Sequence, residues 1–422
     1  MPPILIFEDG QFQHLYPLTY NRCACELPCG TGTPLSRMRQ FLPGPVSGLI
    51  VRGYLTETVR RRIDCPVNSG QSTREGLLLV NARWLMTESF ALPPADTAGI
   101  SGAAVAWIHL SASQAADLNL SDLTENRGME ALLQRVQRRD AKVPLITYPW
   151  DLFDHQRPAL LADFARLGAQ VPDPAPPGVF LLNPSQMHIG ENVRLYPGVV
   201  LDAQNGPIII ADDVEIRSHA VITGPVYLGP NVLIRTGADI REDCIIGPGS
   251  RVGGEIIGSI FLGHANKQHD GFLGQSIVGE WANLGAGTIT SNLKNTYGTV
   301  RVAINGDQRS TGRQFVGSII GDHAKLGIGT CLSTGSVVGF ASHVTIPRPP
   351  KFVPSFAWAT GGPIARADFE KIETIARTVM GRRHIEFTPA DHELFVHIAN
   401  AAGRIERFDW QETADAGETQ PG

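Results

Sequence analysis

The chain has 422 residues, a formal net charge of −5, 42% hydrophobic and 18% charged residues, 7% aromatics, 45 glycines and 30 prolines. No Lys/Arg cluster offers the concentrated positive surface that a nucleic-acid backbone requires, so nucleic-acid binding is not expected. No apolar run approaches the ~18 residues needed to span a bilayer, and Met1-Pro2-Pro3-Ile4-Leu5-Ile6-Phe7 lacks the basic segment of a secretory signal; a cytoplasmic protein without membrane partners is expected.

Apolar stretches at Ile4–Phe7, 48–51, 77–80 and Ala104–Leu110 predict the strands of an α/β, Rossmann-like domain over 1–175. Cys23, Cys25 and Cys29, with Cys65 as the nearest fourth thiol, lack the Cys-x2-Cys unit usual in zinc and iron–sulfur sites. They read as buried thiols, and no metal is expected there. Residues 146–166 predict a helix linking the halves, and the proline-rich stretch 172–177 a hinge.

Periodicity then changes. Ile210, Ile216, Ile222, Leu228, Ile234, Ile240, Ile246 and Val252 follow one another at intervals of six without a miss. The phase extends upstream through Ile189, Leu195 and Leu201, and resumes at Val278 and Leu284 and again from Ile320 to Val344. A helix repeats at 3.6 and a half-buried strand at 2; a period of six is that of a hexapeptide parallel β-helix, a prism of short strands and fixed corners. Its narrow interior should admit aliphatic side chains and exclude large aromatics. The prism is expected over 180–348, with loops leaving it at the phase breaks, about 203–207, 253–276 and 293–317, where ligand contacts are expected. A helical extension over 349–422 follows, with helices at 366–385 and 390–402 and a polar, frayed end at 412–422.

The second break holds Gly263-His264-Ala265-Asn266-Lys267-Gln268-His269-Asp270-Gly271-Phe272-Leu273-Gly274. Downstream lies Asn283-Leu284-Gly285-Ala286-Gly287-Thr288-Ile289-Thr290-Ser291-Asn292. This resembles the acetyltransferase half of the bacterial bifunctional N-acetylglucosamine-1-phosphate uridyltransferase/glucosamine-1-phosphate acetyltransferases, and implies a left-handed β-helix. The resemblance implies His269 as general base, and Asn283, Asn292, Arg235 and Lys267 as substrate contacts. It also implies acetyl-CoA contacts at Ala286 and Gly287. The chemistry is coherent: acyl transfer to an amine needs a base of near-neutral pKa and donors for the developing oxyanion, which Asn amides and Gly-rich backbone can supply. Leu293 stands where the family has Tyr, Ile257 near a family Lys, and the last coils are shortened after Val344. A rival reading takes the His264-x4-His269 spacing as two zinc ligands of a carbonic-anhydrase-like prism, with His219 or His323 as the third.

Sugar nucleotidyltransferases begin with a strand, a Gly-rich phosphate loop and Pro-Leu-Thr. Here Pro17-Leu18-Thr19 is kept, while Phe12 and His14 replace the loop's Gly and Arg, and Arg83 stands where an Mg²⁺-binding Asp is usual. What remains for a nucleotide is Gly10, Arg22 and, as a metal ligand, Asp9. Further segments, among them Tyr148-Pro149-Trp150-Asp151-Leu152 and Met380-Gly381-Arg382-Arg383, extend the resemblance to divergent sugar nucleotidyltransferases along nearly the whole chain. It implies a cytoplasmic homotrimer that transfers acetyl from acetyl-CoA to an amino-sugar phosphate, with an Mg²⁺-dependent nucleotidyl transfer to a sugar 1-phosphate in the head. The alternative from another class is a non-catalytic trimeric scaffold with a sugar-nucleotide-sensing head.

Overall fold

A computed structural model describes residues 1–69, 75–116, 118, 123 and 126–410; the polar end at 412–422 lies outside them. Residue contacts divide the chain into two compact units. One is Met1–Asp163 with Pro389–His397; the other is Phe164–Thr388 with the chain from Ile398.

The first unit is a six-stranded mixed sheet with short helices. Ile4–Phe7 lies between Val46–Ile50 and Leu77–Asn81, parallel to both, and Ala104–Leu110 runs antiparallel to Leu77–Asn81. Every residue of Ile4–Phe7, Leu77–Asn81 and Ala104–Leu110 is buried, so these strands read as largely apolar runs, interrupted only by Asn81 and His109. Two strands without such runs, Thr97–Ser101 and Gln137–Asp140, complete the edge. Helix Pro34–Phe41 starts where Thr33 accepts the Ser36 amide and proline takes the first turn, and it buries Leu35 and Met38.

The second unit is a left-handed parallel β-helix of three faces. The first face runs from Phe180–Leu182 to Phe272–Gly274, the second from Met187–Ile189 to Phe352–Val353, and the third from Arg194–Leu195 to Ala357–Ala359. The hexad aliphatics stack inside in one continuous core, all at or near zero exposure except Leu195 near its start, which is partly buried. Burying one such side chain contributes ~1.5–3 kcal/mol, and its strand is paired above and below. Left-handed residues mark the corner from second to third face: Asn192, Asp213, Asn231, Gly249, His264, Trp281 and His323 all have φ between +48° and +64°. Asn, Asp and Gly adopt this region readily, whereas His264 and Trp281 are bulky there; their rings stack, centroids 4.3 Å apart and 5° from parallel.

Three expectations are corrected. Residues 253–276 do not leave the prism: Glu255–Ile257, Ile260–Phe261, Asn266–Lys267 and Phe272–Gly274 extend its three faces, and only corner lengths shift the phase. The interior does admit an aromatic. Phe261 is fully buried between Ile246 and Val278, in a coil whose other inner positions include the small Ala265 and the unbranched Lys267, so the cross-section stays filled. The sheets also outlast the hexads, since Phe352–Val353 and Ala357–Ala359 pair onto the second and third faces beyond Val344. The break at 293–317 does carry an excursion, with the antiparallel hairpin Arg301–Ile304/Asp307–Ser310.

Candidate functional site

The edge where the third face turns into the first gathers most of the expected acyltransfer residues. Its successive corners are residues 235–238, 253–254, 268–271, 285–288 and 327–330. Arg235, His269 and Ala286-Gly287 thus stand on one edge, with Arg235 and His269 exposed. Backbone contacts bind the column: the Gly287 amide donates to the Asp270 carbonyl (3.2 Å), and the Gly329 amide to that of Ala286 (2.8 Å). Arg235 is two coils from His269, about 9–10 Å at ordinary strand spacing. Between them the corner narrows to Gly253-Gly254, two residues where its neighbours have four, which leaves a notch beside His269. Gly254 has φ +79°, and a Cβ there would meet the Gly271 and His269 carbonyls at 2.8 and 3.0 Å.

The two asparagines flank this edge from opposite faces. Asn283 is on the outer side of the third face, between Asn266 and Lys325. Asn292 follows the first-face strand Ile289–Thr290, and its amide donates to the Gln275 side chain (2.5 Å). Lys267 is corrected as a substrate contact. It fills an inner hexad position beside Val252, is 1% exposed, and donates to the carbonyls of His269 (2.7 Å) and Gly253 (3.3 Å). Burial lowers its pKa to about 8, with Asp270 opposing. Lys267 is therefore a positioning residue that fixes the bend carrying His269, a role the sequence concealed because a lysine at a hexad position reads as a broken phase.

The zinc reading meets two obstacles. The x4 spacing puts His264 and His269 at opposite ends of the strand Asn266–Lys267, on different edges of the prism, so the two cannot close on one ion within a chain. His264 is instead stacked on Trp281, and His219 packs over Gly198 at the edge where the third face turns into the first, a different edge from that of His264. Among the described residues no three of His, Cys, Asp or Glu form a metal-holding group.

In the first unit the expected nucleotide residues converge, but on one another. Asp9 caps the short 3-10 helix Gly10–Leu15 by accepting the Gln11 amide (3.2 Å). Its carboxylate also takes the Asn81 amide (2.8 Å) and a two-pronged bond from Arg83 (2.9 and 2.6 Å). Four bonds fill both oxygens, so Asp9 has no acceptor position left for Mg²⁺, and the residues present do not fit that ion. Arg83 is fully buried and also holds the Ile146 carbonyl. Gly10 opens a closed helical turn rather than an open phosphate loop, with Phe12 under the Arg52 guanidinium at 4.0 Å. Arg22, expected as a phosphate ligand, is only 5% exposed, and its carbonyl is held by Arg52 (2.8 Å). Arg52, paired with buried Glu8 at 2.8 Å, is the residue the sequence reading missed. It also takes the Thr19 carbonyl and so staples the Pro17–Arg22 segment. Cys23, Cys25 and Cys29 are free buried thiols; burial pushes Cys29 to about 12, against the pull of Arg37.

Residues 4–170 match the family model described as sugar nucleotidyl transferase. The bifunctional sugar-1-phosphate nucleotidylyltransferase/acetyltransferase of Sulfurisphaera tokodaii is 32% identical over 140 residues, 32% of this chain and 34% of that protein. The bifunctional protein GlmU of Methanococcus vannielii is 36% identical over 113 residues, 27% of this chain and 26% of that protein. Part of the chain is thus similar to these bifunctional proteins, at 32–36% identity. Each alignment spans about a third or less of the relative's own length. The solved polySia-specific acetyltransferase NeuO is similar over 49% of this chain and 94% of its own, at a TM-score of 0.28 and 15% identity. No helix among the described residues is long and apolar enough to cross a membrane.

Proposed function

We propose that this chain transfers an acetyl group from acetyl-CoA to the amine of an amino-sugar phosphate, as a cytoplasmic homotrimer. The observation that carries the reading is the single prism edge on which Arg235, His269 and Ala286-Gly287 follow one another beside a two-residue notch. His269 takes a proton from the attacking amine as the new N–C bond forms, the C–S bond breaks, and the departing thiolate gains a proton. Asn283 and Asn292 orient the acceptor, and the Ala286 N–H of the glycine-rich corner faces the growing oxyanion, the amides of Gly285, Gly287 and Thr288 being already donated to backbone carbonyls. Lys267, through the His269 carbonyl, keeps the base in place.

For the first unit, the match of residues 4–170 supports a sugar-phosphate or sugar-nucleotide ligand. A metal-assisted nucleotidyl transfer at Asp9 does not follow, because Arg83 and Asn81 already saturate that carboxylate. The test is a product assay with acetyl-CoA and a panel of hexosamine 1-phosphates, run beside calorimetry with acetyl-CoA. Thiol release and an N-acetylated product are expected; a chain that binds no acetyl-CoA and forms no product is the scaffold instead.

A further inference from the structure

The outer side of the third face carries a row of polar side chains, one per coil: Asn266, Asn283, Lys325, His343 and Trp358, in direct register. Helix Phe369–Gly381 and the turn after it reach both ends of that row. Lys371 lies over the Trp358 ring at 4.1 Å, and Arg383 donates to the Asn266 side chain (3.1 Å) and the Gly249 carbonyl (3.1 Å). The lengths agree: twelve helical residues rise about 18 Å, and four strand spacings cover about 19 Å.

Lys325 occupies the middle of this row with one acceptor, the Trp281 carbonyl at 2.6 Å. Among the described residues no carboxylate pairs with Lys325, Lys371 or Arg383. An ammonium withdrawn from water without a counter-ion is costly, and such costs persist where a ligand uses the charge. His343 stacks on Trp358 and meets Lys325 on one side and Lys371 on the other. Burial brings Lys325 down to about 7, and burial together with the charges of Lys325 and Lys371 brings His343 to about 4.

We propose that this row is an anion site in which the Lys325 ammonium, between Asn283 and His343, binds a phosphate group. The carrier is either the sugar phosphate or the coenzyme; that choice, but not the site, rests on the acyltransfer reading. Asn283, one strand away, is the acceptor contact of that reading, and the corner 327–330 that follows Lys325 continues the edge bearing Ala286. Family resemblance gave no cation here, and the expected Lys near position 257 is Ile257.

The test is calorimetric titration of the full chain with inorganic phosphate at pH 7 and low salt, for the wild type, Lys325→Met and Lys325→Arg. Lys325→Met is expected to weaken binding roughly tenfold or more, with Lys325→Arg close to wild type. Phosphate should raise the wild-type Tm but not that of Lys325→Met, and the latter should melt no lower than the wild type without phosphate, since it loses an unpaired buried charge. Glucosamine 1-phosphate and coenzyme A are then run as competitors, and displacement by either supports the site and names the carrier. A wild type that does not bind phosphate, an unchanged affinity in Lys325→Met, or displacement by neither competitor overturns the proposal. Phosphate binding without any acetyl transfer would sink the reaction while leaving the site standing.

Discussion

Asp9 and Lys267 show how one side chain decides what its surroundings can hold. At Asp9 the ion pair with buried Arg83 takes the positions a cation would need. Removing Arg83 alone strands the carboxylate, so Arg83→Met should destabilise the first unit by about 3 kcal/mol or more, read by urea unfolding; Asp9→Asn with Arg83→Met should recover most of it. Lys267 and Lys325 give a pH signature. Their folded pKa values, about 8 and about 7, lie below the unfolded value near 10.4. Between those limits the unfolded chain binds more protons, so each contribution to stability rises with pH and is lost as pH falls toward the folded pKa. Melting curves from pH 7 to 10 should therefore rise more steeply for the wild type than for Lys267→Met or Lys325→Met, and parallel curves would contradict the assignment. Neither role could be read from sequence: a lysine says nothing of whether it faces a prism interior, and Arg83 announced a lost carboxylate but not its new partner.

At the scale of elements, the corner matters more than the strand. Strands of two or three residues repeat almost unchanged down the prism, while corner length sets where side chains emerge. The notch at Gly253-Gly254 brings backbone against the His269 bend, so Gly254→Ala should displace it. The expected result is a fall in kcat of about tenfold with a stability loss of about 1–3 kcal/mol, measured by thiol release and thermal melting. The hexads made the prism legible because one aliphatic per strand is what a narrow core selects. Strands without a hexad residue were not legible, as at Asn266–Lys267 and Phe352–Val353, where pairing with neighbouring coils overrides the local pattern. Gln137–Asp140, an edge strand with every residue exposed, and Thr97–Ser101 beside it were missed for a similar reason, since neither carries a continuous apolar run.

For the whole molecule, the high glycine and low aromatic content trace to corners and to a core of stacked aliphatics. The exposed apolar side chains Ile289 (44%), Phe315 (47%) and Ile328 (81%) lie on the first face, beside it and on the candidate edge, where a neighbouring prism in a trimer would cover them. Sedimentation equilibrium should give three times the 45.6 kDa chain mass, and a monomer at assay concentration would contradict the trimer. The proposed reaction rests on His269 as its base. Its most direct test is the rate of thiol release from acetyl-CoA, with a hexosamine 1-phosphate acceptor, by His269→Ala beside the wild type. The account predicts a loss of at least about 100-fold with Tm and assembly unchanged; a variant that keeps the wild-type rate would contradict it.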